Sequence, residues 1–136
     1  MVVKEVMTSE PVTADAGAKI SDVISALFEL DVRHLPVVDG SELIGIVSDR
    51  DLRAFMAPAL IELENPGAIA AKLNQPVSTI MNGDVISVHP ETDLSELVDL
   101  MLDHKVGAVP VLDPDSDELV GIVSYMDVLR AAQDAL

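Results

Sequence analysis

Two stretches of the chain carry apolar residues at helical spacing. Ile20, Val23, Ile24, Leu27 and Phe28 fall at i, i+3, i+4, i+7 and i+8, and Leu94, Leu97, Val98 and Met101 follow the same rhythm. That period places one apolar stripe along one face of each predicted helix. Asp93 followed by Glu96 reads as a capping box at the start of the second helix. After each helix comes a short apolar strand around Pro36 or Pro110, then a polar turn, with Asp39-Gly40 a hairpin signal. The next runs, Leu43 to Val47 and Leu119 to Val123, are nearly all apolar, which predicts strands buried on both faces. Short extended entries are expected at Val12-Thr13 and Val85-Ile86-Ser87. Closing helices are expected to open near Asp51, carrying Leu52 and Phe55, and near Asp127, carrying Val128 and Leu129.

These elements are two copies of one pattern. Glu42 to Ser48 recurs as Glu118 to Ser124, with six of seven positions identical at a spacing of 76. Val32 to Asp39 aligns with Val106 to Asp113 at a spacing of 74, which Met7 and Met81 share. The two-residue slip falls in the turn between the strands, where insertions cost little. The order predicts a β-α-β-β-α unit twice, over residues 2–57 and 77–136, with a connector at 58–76. Pro58, Pro66-Gly67 and Pro76 punctuate that connector. Ala59–Glu64 and Ala68–Leu73 are expected as short helices, because Leu60, Ile61, Leu63, Ile69 and Leu73 favour burial. One unit of about 50 residues has too little apolar surface for a sturdy core. Two units are therefore expected to pack sheet to sheet about a pseudo-two-fold axis, leaving two related clefts.

Composition narrows the function. The 136 residues are 49% hydrophobic and 24% charged, a globular balance. A net charge of −16 would repel nucleic-acid phosphates and anionic membranes, so neither is an expected partner. The absence of cysteine excludes disulfides, thiol catalysis and zinc–thiolate sites. No apolar run is long enough to span a membrane, and Met1 to Val6 lack the features of a signal peptide, so a cytoplasmic location is expected.

The pattern Gly-h-h-Ser-x-x-Asp, where h is apolar, occurs twice. It reads Gly45-Ile46-Val47-Ser48-Asp49-Arg50-Asp51 and Gly121-Ile122-Val123-Ser124-Tyr125-Met126-Asp127, each after an h-Pro-h strand and a hairpin. This resembles the CBS domain pair, named for cystathionine β-synthase, over residues 2–57 and 77–133. The resemblance implies an α/β fold of two pseudo-symmetric repeats, known as a Bateman module. It also implies a regulatory role with AMP, ADP, ATP or S-adenosylmethionine as ligands, and for want of any catalytic motif neither catalysis nor a required cofactor is expected. A homodimer and a regulated protein partner are implied as well.

A carboxylate can accept two hydrogen bonds from a ribose diol, and a serine hydroxyl beside a helix N-terminus can donate to phosphate. The same Ser and Asp can equally cap the helices that follow them. Carried over residue by residue, the family's sites give one cleft of Thr13, Ala18, Val32, Arg33, His34 and Pro36 with Ser124 and Asp127. The other would join Ser87, Thr92, Gly107, Ala108 and Pro110 to Ser48 and Asp51. Arg33-His34 offers a fixed cation and a titratable donor, whereas the matching Gly107-Ala108 offers only backbone and space. In so acidic a chain the Arg33-His34 cleft is expected to be the better nucleotide site. An alternative is a dimerisation module whose clefts are vestigial.

Other constellations carry less. Asp113-Pro114-Asp115-Ser116-Asp117 starts like a calcium loop, but its sixth and twelfth positions are Glu118 and Ser124. It reads as a solvated turn. His34, His89 and His104 show no metal-ligand spacing, and no nucleophile elbow, Walker loop or dinucleotide fingerprint is present.

Overall fold

The structure, a computed structural model, describes residues 1–61 and 66–136. Eleven elements follow in order: β1 (Thr8–Ser9), β2 (Ala14–Asp15), α1 (Ile20–Leu30), β3 (His34–Asp39), β4 (Glu42–Ser48), α2 (Asp49–Ile61), α3 (Pro66–Leu73), α4 (Leu94–His104), β5 (Ala108–Leu112), β6 (Leu119–Ser124) and α5 (Tyr125–Ala135). Single 3-10 turns lie at Val3–Glu5 and Val77–Thr79.

The chain divides into two compact units, Val12–Asp84 and Met1–Pro11 with Val85–Leu136. Packing therefore does not follow the sequence repeats alone. The lead-in ahead of each repeat joins the sheet of the other one. In the unit Val12–Asp84, β2 pairs parallel with β3, and β3 antiparallel with β4. The segment after α3 closes this sheet, as Asn82 exchanges backbone hydrogen bonds with Ile46 at 2.9 and 3.0 Å. In the unit Met1–Pro11 with Val85–Leu136, β1 pairs antiparallel with β6, which pairs antiparallel with β5.

Most of each helical stripe faces its sheet as the periodicity predicts, but Phe28, the last position of the first stripe, is 87% exposed. Ile20, Val23 and Leu27 of α1 pack with Val37, Val47 and Leu52. Leu97 and Met101 of α4 pack with Val109, Val111, Val123 and Val3. Helices α1 and α4 end alike, on Asp31 and Lys105 in the left-handed region at φ 53° and 54°. The next N–H in each case reaches back five residues, Val32 to Leu27 O and Val106 to Met101 O.

Each lead-in also carries a methionine against a glycine of the hairpin. A methyl group added to Gly45 would lie 2.5 Å from Met81 Sδ, and one added to Gly121 would lie 2.6 Å from Met7 Sδ. The shared 74-residue spacing of the two methionines is thus a packing constraint. Helix α3 lies in the unit Val12–Asp84, where Leu73 packs on the core and Lys72 Nζ donates to Phe55 O at 3.0 Å and sits over the Phe55 ring.

Several expectations are corrected. The first entry strand is Ala14–Asp15 rather than Val12-Thr13, because β3 pairs only with those two residues on that edge. In the second copy no strand forms at residues 85–87, and a single parallel bridge joins Val88 to Val111. Asp93 makes no side-chain cap. The N–H of Leu94 instead donates to Met1 O at 2.9 Å, and Val2 bridges to Asp93, so backbone from the other end of the chain meets the helix start. The strands β4 and β6 are not buried on both faces: Gly45, Val47, Gly121 and Val123 are buried, while their neighbours are half-buried. Of the connector, the helix expected at Ala68–Leu73 is α3, which starts at Pro66. Helix α2 runs on to Ile61. The rest of the expected Ala59–Glu64 helix, and the burial expected of Leu60, Ile61 and Leu63, lie outside the described residues.

Candidate functional site

Each unit carries a Ser-x-x-Asp turn where the second hairpin strand, β4 or β6, runs into a helix. In one, Ser48 N–H donates to Asp51 Oδ2 at 2.9 Å and Asp51 N–H donates to Ser48 Oγ at 3.1 Å. In the other, Ser124 N–H and Oγ donate to Asp127 Oδ2 at 2.8 and 3.1 Å, and Asp127 N–H donates to Ser124 Oγ at 3.4 Å. Both are reciprocal capping boxes, so the capping role of these residues is present in the structure. Capping also fixes the carboxylate's direction. At Asp51 one oxygen accepts the Ser48 backbone N–H, while at Asp127 the second oxygen also meets Arg130 Nη1 at 3.3 Å.

Strand register decides what stands beside each turn. His34 pairs with Ser48, and Ala108 with Ser124. The first helical N–H closes the same loop in both units: Asp49 N–H donates to Arg33 O and Tyr125 N–H to Gly107 O, both at 2.9 Å. The unit Val12–Asp84 therefore sets Arg33-His34 directly against Ser48-Asp49-Arg50-Asp51. The corresponding edge of the other unit sets Gly107-Ala108 against Ser124-Tyr125-Met126-Asp127. One edge is rich in charge, the other nearly free of it. Burial holds the His34 imidazole below its ordinary pKa, and Arg33 acts in the same direction, while Asp49 and Asp51 oppose the shift.

The remaining sequence candidates fall on the same two edges or on the lead-ins. Thr13 is exposed, Ala18 is half-buried, and Val32 is 40% exposed. Pro36 and Pro110 are fully buried in β3 and β5. Ser87 is exposed, whereas Thr92 Oγ1 accepts the His89 N–H at 3.0 Å and Thr92 O accepts the Val3 N–H at 2.9 Å. Within its own unit Arg33-His34 adjoins Ser48 and Asp51, which the sequence reading placed in a different cleft. Asp49 was not singled out by sequence, yet its backbone meets Arg33 and its charge acts on His34. Its position at the first residue of the helix after Ser48 was the available signal.

Asp113 behaves as the turn reading expects. Its carboxylate accepts N–H groups of Asp115 and Ser116 at 2.8 and 3.1 Å, which lowers its pKa. Among the described residues no group of three His, Asp or Glu side chains is placed to hold a metal ion. No described helix is long and apolar enough to cross a membrane.

The family model for the CBS domain matches residues 3–58 and 77–134. The chain belongs to the CBS-domain family. Its two CBS repeats resemble an uncharacterized protein of Methanocaldococcus jannaschii, MJ1225, at 28% identity over 98% of this chain and 48% of that one. Among solved structures, the CBS domain pair of protein MJ0100 in complex with 5′-methylthioadenosine and S-adenosyl-L-methionine has a TM-score of 0.81. It is 26% identical and covers 100% of this chain and 98% of that one. CBSX2 in complex with AMP has a TM-score of 0.80 at 29% identity, covering 98% and 97%. The chain spans between 23% and 48% of the length of the first curated relatives it matches.

Proposed function

We propose that this CBS pair is a regulatory module that binds an adenosyl ligand and passes its occupancy to a partner protein, without catalysing a reaction or requiring a cofactor. The observation that carries this reading is the pairing of His34 with Ser48, which sets Arg33-His34 beside a capped carboxylate at a helix N-terminus. An aspartate fixed by its cap suits a ribose diol, and a guanidinium with an imidazole donor suits a phosphate. The corresponding edge, with Gly107-Ala108 beside Ser124-Asp127, suits an adenosyl ligand that carries less negative charge. Adenosyl ligands in the MJ0100 pair and AMP in CBSX2 support the ligand class. AMP, ADP, ATP and S-adenosylmethionine are the candidates.

Two assignments of the phosphate site compete. One uses Ser48 and Asp51 with Arg33-His34 inside one unit, and the other uses Ser124 and Asp127 with Arg33-His34, as the sequence resemblance implies. Titration of AMP, ADP, ATP and S-adenosylmethionine, followed by melting temperature, tests the function. A ligand at 100-fold its Kd adds about 2.7 kcal/mol of stability. No shift with any of the four at millimolar concentration defeats the sensor reading. Asp51→Asn and Asp127→Asn then separate the assignments, because only the ribose-binding carboxylate costs affinity for AMP.

A second reading, self-association, draws on the helix faces. Phe28 is 87% exposed, Leu102 70% and Leu129 57%. Where such side chains join into a contiguous apolar patch, they mark a surface that another molecule covers.

A further inference from the structure

Of the three histidines, one stands at the candidate site. His34 is half-buried at the start of β3, opposite Ser48 of β4. The hydrogen bond from Asp49 N–H to Arg33 O, at 2.9 Å, ties the backbone beside it to the start of α2. Burial is the largest influence on its ring and disfavours the cation. Asp49 and Asp51, in the first turn of α2, favour the cation, and Arg33 on its own strand opposes it. Both aspartates already have partners. Asp49 Oδ2 lies 3.6 Å from Arg53 Nη2, and Asp51 Oδ2 accepts the Ser48 N–H at 2.9 Å. Burial therefore prevails, and the imidazole is mostly neutral near pH 7.

We propose that His34 takes up a proton when the phosphate of an adenosyl ligand binds beside it, so that the module senses nucleotide and acidity together. This inference deepens the adenosyl-ligand reading and rests on it, and it holds for either assignment of the ribose-binding carboxylate. A phosphate dianion is the counterion that the two engaged aspartates do not supply. Beside it the imidazolium gains a charge-assisted hydrogen bond. The coupling is reciprocal. A ligand that draws a proton onto His34 binds more tightly as pH falls, by up to about tenfold per pH unit for one whole proton. The effect is clearest between about pH 6.5 and 7.5, where a phosphomonoester, with its second pKa near 6, is largely a dianion. Adenosine has no phosphate and draws no proton. At the corresponding edge of the other unit Ala108 stands opposite Ser124 and has nothing to titrate. Mild acid thus favours phosphate-bearing ligands at one edge and leaves the other indifferent.

The test leaves His34 as the only histidine. His89→Gln with His104→Gln changes two exposed residues, and the His34 ring is then titrated by nuclear magnetic resonance. It is followed alone, with adenosine, and with the tightest-binding of AMP, ADP and ATP. The nucleotide is expected to raise the His34 midpoint by about one pH unit or more, and adenosine to leave it in place. Should that variant fail to fold, calorimetry on the wild-type protein counts the protons instead. The nucleotide is titrated at about pH 7 in Tris and in HEPES, whose heats of ionisation differ. Uptake of about half a proton is expected with nucleotide and none with adenosine. A nucleotide that binds without moving the midpoint, or without proton uptake by the wild type, overturns the inference and leaves the sensor reading standing. So does a midpoint or uptake that changes equally with adenosine, because the phosphate is then not its cause. Failure of AMP, ADP and ATP alike to bind overturns the nucleotide reading, and the inference with it.

Discussion

Asp51 caps α2 and, in the assignment proposed within the unit Val12–Asp84, also binds the ribose, two roles that a pair of substitutions separates. Its carboxylate accepts the Ser48 N–H at 2.9 Å, and its own N–H donates to Ser48 Oγ at 3.1 Å. Asp51→Ala removes the acceptor and leaves the half-buried Ser48 N–H without its partner. The lost hydrogen bond costs about 1 kcal/mol, and the lost anion at the helix N-terminus adds roughly 0.3–1 kcal/mol. Asp51→Asn keeps one carbonyl oxygen for the Ser48 N–H and loses only the charge, so its cost stays below about 1 kcal/mol. For a ribose diol the difference between the two variants disappears. The amide supplies one acceptor that the cap already uses, and its other end is a donor. Both variants therefore lose a charge-assisted hydrogen bond of roughly 1.5–3 kcal/mol, about 10- to 150-fold in Kd. Urea unfolding and calorimetric titration of AMP read the two effects separately. An Asp51→Asn protein that is as stable as the Ala variant, or that binds AMP like wild type, refutes the division of labour.

Two further predictions come from packing and burial. Gly45→Ala drives a methyl group against Met81 Sδ and is expected to cost about 1–3 kcal/mol, and combining it with Met81→Ala should cost less than the two single changes added, measured as a double-mutant cycle in urea. His34 has a folded pKa below its unfolded value, so the unfolded chain binds more protons in the window just below about 6.5. Its contribution is present above that pH and is lost as pH falls through it towards the folded value. His34→Gln should flatten this part of the stability profile, and urea midpoints taken between about pH 5 and 7 would show an unchanged slope if the burial argument fails.

Much of the fold is legible in the chain because its signals are local. The 3.6-residue stripe of Ile20, Val23 and Leu27 and the turn at Gly40, with φ 64°, specify their elements within a few residues. What escaped the reading depends on distant partners. Asp93 looks like a helix cap, but the backbone of Met1 and Val2 reaches that helix start. The lead-ins have no periodicity of their own, so their exchange between the sheets appears only once Met7 meets Gly121 and Met81 meets Gly45. The candidate site turns on a single register step. Counting back from the Gly40-Ser41 turn sets His34 opposite Val47, but an irregularity between Val37 and Val38 shifts the pairing by one residue, to Ser48. Nothing in the local sequence announces that step, and it brings Arg33-His34 to the capped aspartate.

The most direct measurement is a calorimetric titration of AMP and of adenosine, side by side, into the wild-type protein and Arg33→Ala. A guanidinium aimed at phosphate predicts that the variant loses about 10- to 150-fold in affinity for AMP and little for adenosine. Equal losses for the two ligands, or no binding of AMP to the wild type, would contradict the account.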